Sequence, residues 1–274
     1  MKNTEMAVSV IVSTYNWPQA LGAVLSALEV QTFSNFEVIV ADDGSKEPTR
    51  ELVQDFQRRG KINIKHVWQP DDGYRLAQIR NKAIVQASGA YVIFLDGDSI
   101  PLPTFLARHV ALAKPGWFVA GSRILLDQPL SERVLRVPVA IHQWSFFDFL
   151  KAYRQGHLNR ISTLVNLPLG VFRYLSPSRW RGAKGCNLAI WREDLLGVNG
   201  CDESYIGWGY EDSDLLVRLL NRGVRRKSGK FSVPILHLWH PQSDRASADS
   251  NYEKLQTVLK SQKTQADEGL SQYL

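Results

Sequence analysis

At 274 residues, 44% apolar and 22% charged, the chain has the make-up of an ordinary soluble protein and the length for one large or two small domains. Its 33 basic and 27 acidic side chains leave a net charge of +6, which favours anionic partners; no dense basic run with interleaved aromatics accompanies it, so nucleic acid is the least favoured. Two cysteines, Cys186 and Cys201, make no disulfide framework, no stretch nears the ~20 apolar residues of a membrane-spanning helix, and the N-terminus lacks a signal peptide's basic and apolar regions.

The first hundred residues alternate strand and helix patterns. Ala7 to Ser13 is a β-branched run, and Asn16-Trp17-Pro18 marks a turn into a helix. Leu21, Val24, Leu25 and Leu28 recur at helical spacing over 18–30. Phe36 to Ala41 reads as a second strand, 47–59 as a helix, Ile62 to Val67 as a third strand, and 75–87 as another helix. A fourth strand, Tyr91 to Leu95, leads into Asp96-Gly97-Asp98. This β-α-β-α-β-α-β order predicts an α/β fold with a mainly parallel sheet and helices on both faces. Ligands of such sheets bind beyond the carboxyl ends of the strands, here Thr14-Tyr15-Asn16, Asp42-Asp43-Gly44 and Asp96-Gly97-Asp98.

From 122 to 182 the pattern loosens and becomes rich in aromatics and bases, among them Phe146, Phe147, Tyr153 and Phe172. It reads as a helical insertion burying its aromatics on the main domain, or as a surface for a lipid-linked acceptor or the membrane interface. Order returns with a strand-like Cys186 to Trp191, a Gly207-Trp208-Gly209-Tyr210 loop and a helix opening on Glu211 and Asp212. Phe231 to Leu236 predicts a last short strand, placed at an edge by its proline, before His237 and His240. The polar tail from 243 predicts a surface helix to about Lys263 that then frays.

The acidic groups carry the chemistry, each with a plainer alternative. Asp96 and Asp98 share one face of an extended strand, and Gly97 between them leaves the backbone open to a ligand. A divalent cation would relieve their repulsion, although acidic pairs also sit in solvated turns. Asp42 and Asp43 suit either an Asx turn or contact with a nucleoside. Acids in the first turn of a helix complement its dipole, yet the glycines and tryptophan before Glu211 also suit stacking on a sugar. His237 and His240 would need a turn to act together on a metal; with Asp98 they make a mixed nitrogen and oxygen site suited to Mn²⁺. Arg75 and Arg80 form a solvated basic face, or one of them holds a diphosphate.

Taken jointly, Val8 to Asn16, Gln31-Thr32-Phe33, Ala41 to Ser45, Asp71 to Arg75, Arg80 to Ala83 and Phe94 to Asp98 resemble the family 2 glycosyltransferases of the GT-A fold. Gly207-Trp208-Gly209-Tyr210-Glu211-Asp212-Ser213-Asp214 resembles the Gly-Trp-Gly-x-Glu-Asp motif of β-1,4-galactosyltransferases and chondroitin-polymerase-type bacterial enzymes. The resemblance covers roughly 7–110 and 182–241. It implies an inverting transfer from a nucleotide sugar, usually a UDP-sugar, with a divalent metal, Mn²⁺ before Mg²⁺. By the same resemblance Asp43 meets the uracil, Tyr15 packs beside it, Asp96 contacts ribose or sugar, and Asp98 binds the metal. His237 and His240 stand where the galactosyltransferases use a methionine and a histidine to complete the metal site, so His237 replaces a methionine. Asp212 becomes the base, with Glu211 and Trp208 holding the acceptor. One catalytic domain is expected, with a nucleotide-sugar half (1–121), the insertion (122–182), an acceptor and catalytic half (183–241) and a helical tail (242–274). The expected acceptor is a saccharide or lipid-linked saccharide in cell-surface polysaccharide or lipopolysaccharide synthesis, and the expected location is the cytoplasm, with peripheral contact at the inner face of the cell membrane. A sugar-nucleotide nucleotidyltransferase would instead carry a glycine-rich basic loop after its first strand, where Ser13 to Pro18 stands. A binding module without catalysis would have no need of Glu211 and Asp212 beside a metal.

Overall fold

The computed structural model describes residues 6–136, 139–242 and 244–274. The β-branched runs and amphipathic stretches of the first hundred residues form β1 (Val8–Thr14), α1 (Pro18–Leu28), β2 (Phe36–Asp42), α2 (Glu47–Arg59), β3 (Asn63–Trp68), α3 (Leu76–Gln86) and β4 (Tyr91–Asp96). There follow β5 (Ser99–Pro101), α4 (Phe105–Leu112), β6 (Trp117–Ala120), β7 (Ser122–Leu125), α5 (Gln128–Arg136) and α6 (Phe146–Arg154). The last part holds β8 (Asn187–Trp191), α7 (Arg192–Gly197), α8 (Glu211–Asn221), β9 (Arg225–Ser228), β10 (Pro234–His237) and α9 (Ala248–Ser261).

A seven-stranded sheet runs β3-β2-β1-β4-β8-β6-β9. Its first four strands are parallel, β8 lies antiparallel to both β4 and β6, and β9 is parallel to β6. Alternation along β1 explains the two-sided core. Val8, Val10 and Val12 join α1 and α2 in one cluster, whereas Ile11 joins α3, α7 and α8 in the other. Leu21, Leu25 and Leu28 of α1 are fully buried, each stabilising the fold by roughly 1.5–3 kcal/mol relative to an exposed side chain.

Glu37 of β2 ties this sheet to the α3–β4 turn. Its carboxylate accepts from Ser9 Oγ, Ser88 N and Ser88 Oγ, each at 2.7 Å, and pairs with Lys65 at 2.8 Å. Burial alone would raise its pKa, but Lys65 and the serine donors outweigh it and hold it down at about 2, against an ordinary 4.5. A folded value below the unfolded one stabilises above pH 4.5, and that contribution fades as pH falls toward 2. Glu37→Gln should therefore lower the melting temperature at pH 7 and make progressively less difference on acidification, as thermal scans across pH would record.

Three expectations change. Phe231 to Val233 are not strand residues, and β10 is the central strand of a second sheet, β5-β10-β7, rather than an edge. Pro234 is tolerated because it is the first residue of the strand, where its missing N–H interrupts no ladder. The aromatics of 122–182 divide: Phe149 is buried, but Phe146, Phe147, Tyr153 and Phe172 face solvent, and the segment opens with β7 rather than a helix. The tail docks instead of fraying. Ala266 N and Leu270 N donate to the Val198 and Asn199 carbonyls, Tyr273 bonds Glu203, and Leu270 is buried. Among the described residues no helix is long and apolar enough to cross a membrane.

Candidate active site

Strand order reverses at β1, which lies between β2 and β4, and a crevice opens beyond the carboxyl ends of all three. Thr14, Asp42 and Asp96 are the last residues of these strands, with Thr14 paired to Asp42 and Ser13 to Asp96. Gly97 N donates to Ser13 O at 2.7 Å and fixes the turn between the two acids.

The end of the crevice at β1 and β2 is already organised. Asp42 makes the turn anticipated for it, accepting from Ser45 N at 2.8 Å, and its other oxygen meets His66 Nε2 at 2.9 Å. Asp43 is buried; it accepts from Gln69 Nε2 at 2.6 Å and Arg75 N at 2.8 Å. Burial raises its pKa, and these two bonds only partly oppose the shift. Tyr15 is half exposed and donates to Asp71 at 2.9 Å. Asn16 adopts φ 47°, accepts from Lys46 N with its side chain, and donates through its own N–H to Ser45 Oγ. Arg75 turns to Asp72 at 2.6 Å.

Asp98 meets two imidazoles. His237 Nε2 lies 3.7 Å from Asp98 Oδ1 and His240 Nε2 3.3 Å from Oδ2. Leu238 N donates to the Asp98 carbonyl, so the end of β10 is stitched to this turn. Each ring's Nδ1 faces a carbonyl, Leu238 O at 2.8 Å and Pro241 O at 2.7 Å. A carbonyl only accepts, so both Nδ1 atoms carry a proton, and each ring turns its Nε2 toward Asp98 as the atom that could ligate. Burial lowers the pKa of His237, which keeps the ring neutral, the form that ligates. One ligand atom from each of the three residues falls within 4.8 Å of the others. Two imidazoles and a carboxylate fit Mn²⁺ better than Mg²⁺, which prefers oxygen alone.

Arg80 connects the acids. It is 2% exposed, not part of a solvated face, because α3 packs this side against the sheet. Its guanidinium bonds Asp212 at 2.7 Å, Asp96 at 3.2 Å and Ser13 Oγ at 3.3 Å. Asp212 also accepts from Gly185 N at 2.7 Å. A Cβ on Gly185 would lie 2.3 Å from Asp212 Oδ1, so only glycine permits this approach. Neither Gly185 nor Ser13 was singled out in the sequence; a lone glycine before β8 has no local signature. Burial pushes Asp96 up to about 7, with Arg80 opposing and Asp98 and Asp212 adding to the rise. Burial, then the Asp212 charge, also push Glu211 up to about 7 against Arg80. Glu211 Oε2 has no hydrogen-bond partner among the described residues.

The loop before α8 is held in unusual backbone. Tyr210 caps the helix at φ 70°, and Gly207 at φ 76° leaves room for Ser247 Oγ, 2.4 Å from where a Cβ would stand. Trp208 is half-buried with Arg245 stacked 5.0 Å from its ring. Gly207 N donates to Tyr74 O, which joins this loop to the one before α3. The structure thus brings Asp96, Asp98, Asp212, Glu211, His237, His240 and Arg80 to one crevice, with Tyr15, Asn16 and Asp43 along the ends of β1 and β2.

Residues 9–163 match the family Glycosyl transferase family 2, and residues 171–240 match the N-terminal domain of galactosyltransferase. The chain is 30% identical over 243 residues to a chondroitin synthase of Escherichia coli, covering 80% of this chain and 33% of that protein. It is 31% identical over 236 residues to a validoxylamine A glucosyltransferase of Streptomyces hygroscopicus, covering 79% and 52%. It therefore spans between a third and about half of the length of these relatives. In structure it is similar to S. aureus TarS in complex with UDP, with a TM-score of 0.63 at 17% identity over 97% of this chain and 68% of that one. It is also similar to a mannosyltransferase from Pyrobaculum calidifontis in complex with GDP-Man and Mn2+, with a TM-score of 0.56 at 17% identity, covering 94% and 71%. Those likenesses bear on the fold, which is the mixed, mainly parallel α/β arrangement of GT-A. The chain belongs to the family 2 glycosyltransferases.

Proposed function

We propose that the chain moves a hexose or N-acetylhexosamine from a UDP-sugar to a hydroxyl of a saccharide or lipid-linked saccharide, with inversion, in cell-surface polysaccharide or lipopolysaccharide synthesis. The reading places it in the cytoplasm. The observation that carries it is the convergence of Asp98, His237 and His240 with the Asp96–Arg80–Asp212 chain in one crevice. In this reading Asp43, oriented by Gln69 and Arg75 N, keeps lone pairs for the uracil N–H, and the exposed Tyr15 ring lies beside the base. Thr14 and Asn16 shape the floor, while Asp96 and Gly97 receive ribose or sugar. Arg75 remains free to swing from the exposed Asp72 to a diphosphate; Arg80, ion-paired on both sides, positions acids instead.

Asp98, His240 and His237 would hold a divalent ion, which when bound neutralises charge on a departing diphosphate. Asp212 accepts the proton of the acceptor hydroxyl as that oxygen bonds to the anomeric carbon and the bond to the phosphate oxygen breaks. Arg80 and Gly185 N hold the carboxylate in the orientation this needs. Trp208 offers the acceptor an apolar face, and Glu211 a hydrogen-bonding carboxyl. A panel of nucleotide sugars tests the reading. Hydrolysis of one of them, dependent on a divalent ion, is expected, and no turnover of any UDP-, dTDP- or GDP-sugar would overturn it.

A further inference from the structure

A cleft of about 690 Å³ opens beside the carboxylates. Arg123 and Cys186 line its inner end; Arg123 exerts its charge on Asp96 and His237, and Cys186 feels the charges of Asp96, Asp98 and Asp212. Farther out the walls carry Arg160, Arg179, Arg181, Lys184 and Lys230, all exposed. Arg173 and Arg226 bring the bases to eight, and no acidic residue lines the cleft. Among the described residues none of the eight is ion-paired to a carboxylate. The chain's entire positive balance resides here: of its 33 basic side chains these eight leave 25 elsewhere, against 27 acidic ones.

The cluster is built, not incidental. Arg226 donates to the carbonyls of Arg179 and Arg181 at 3.1 and 3.0 Å. Arg173, itself buried, donates to Ser228 and Lys230 at 2.8 and 3.0 Å and to Leu167 at 3.0 Å. Two arginines therefore pin the backbones that present three of the exposed bases. Burial holds both below the ordinary arginine value, and the charge of Arg179 lowers Arg226 further. Like charges gathered without counter-charge repel, and an anion relieves them. Two further features suit a saccharide. Phe172 presents an exposed ring on the wall, and the hydroxyls of Ser122 and Thr163, both lining residues, have no hydrogen-bond partner among the described residues.

We propose that this cleft is the acceptor subsite for an anionic saccharide, one carrying carboxylate or phosphate groups along its chain. The assignment rests on the glycosyltransferase reading and adds the acceptor's chemical class to it. Arginine forks match both groups, so the two sources share one chemistry.

The test measures binding of three oligosaccharides of equal length by calorimetry: a hexuronate oligomer, a phosphodiester-linked hexose oligomer and a neutral hexose oligomer. At least one anionic oligomer should bind about tenfold or more tighter than the neutral one, and weaken strongly between about 10 and about 150 mM salt. Whether the carboxylate or the phosphodiester probe binds identifies the source. Arg160→Ala with Arg181→Ala should weaken that binding about tenfold. Arg50→Ala with Arg58→Ala, on the distant face of α2, should leave it unchanged, which separates the cleft from general attraction to a basic protein. Both pairs are exposed, and melting curves check that each variant folds. Equal affinity for the neutral oligomer, no binding of either anion, or equal losses from both pairs would overturn the proposal. Metal-dependent donor hydrolysis by the unaltered protein, run alongside, separates failure of this inference from failure of the reading it rests on.

Discussion

Asp212→Asn should retain affinity for UDP and lose about 10²–10⁴-fold in sugar transfer, the range typical of a missing general base. An asparagine can still accept from Gly185 N–H or Arg80, so the pocket keeps its shape. It has no carboxylate lone pair to take the hydroxyl proton. The buried Arg80 keeps Asp96 as a partner at 3.2 Å, which limits the damage to folding. The loss should fall on kcat, with the KM for donor little changed, because only the proton transfer is removed. Transfer at the parent rate would pass the role to Glu211, whose buried carboxyl is pushed up to about 7 and has an oxygen with no partner among the described residues.

Asp98→Ala should nearly abolish nucleotide binding that depends on a divalent ion. It removes the carboxylate that, among the described residues, faces both imidazoles, His237 at 3.7 Å and His240 at 3.3 Å. Losing even an outer partner of a metal ligand costs about 10–100-fold in affinity, and in the proposed site Asp98 would itself be a ligand. Titrating Mn²⁺ and then UDP into parent and variant checks it. UDP binding by the parent that is equal with and without chelator would refute the metal assignment.

Much of this architecture was legible because central parallel strands have apolar residues on both faces. Val10 to Val12 and Val38 to Ala41 are continuous apolar runs, and Leu21, Val24, Leu25 and Leu28 keep a clean helical period. The short strands β5, β6 and β9 were silent, since three or four residues show no period. Pro234 pointed to an edge, but a proline in first position is compatible with a central strand. Arg80 read as solvent-facing because only the tertiary fold supplies Asp212, 132 residues away, to pair with it. The same reason hid Gly185. The basic cleft was legible in part: Arg123, Arg160, Arg173, Arg179 and Arg181 fall in the stretch read as rich in bases, but only the fold adds Lys184, Arg226 and Lys230 to them.

One guanidinium shared between two carboxylates couples them energetically. On the proposed reading Asp96 faces the donor and Asp212 the acceptor, and a hydroxyl that hydrogen-bonds to either carboxylate would loosen its claim on Arg80. Filling one half-site would then change the acidity of the other, and by thermodynamic linkage the coupling is equal in both directions.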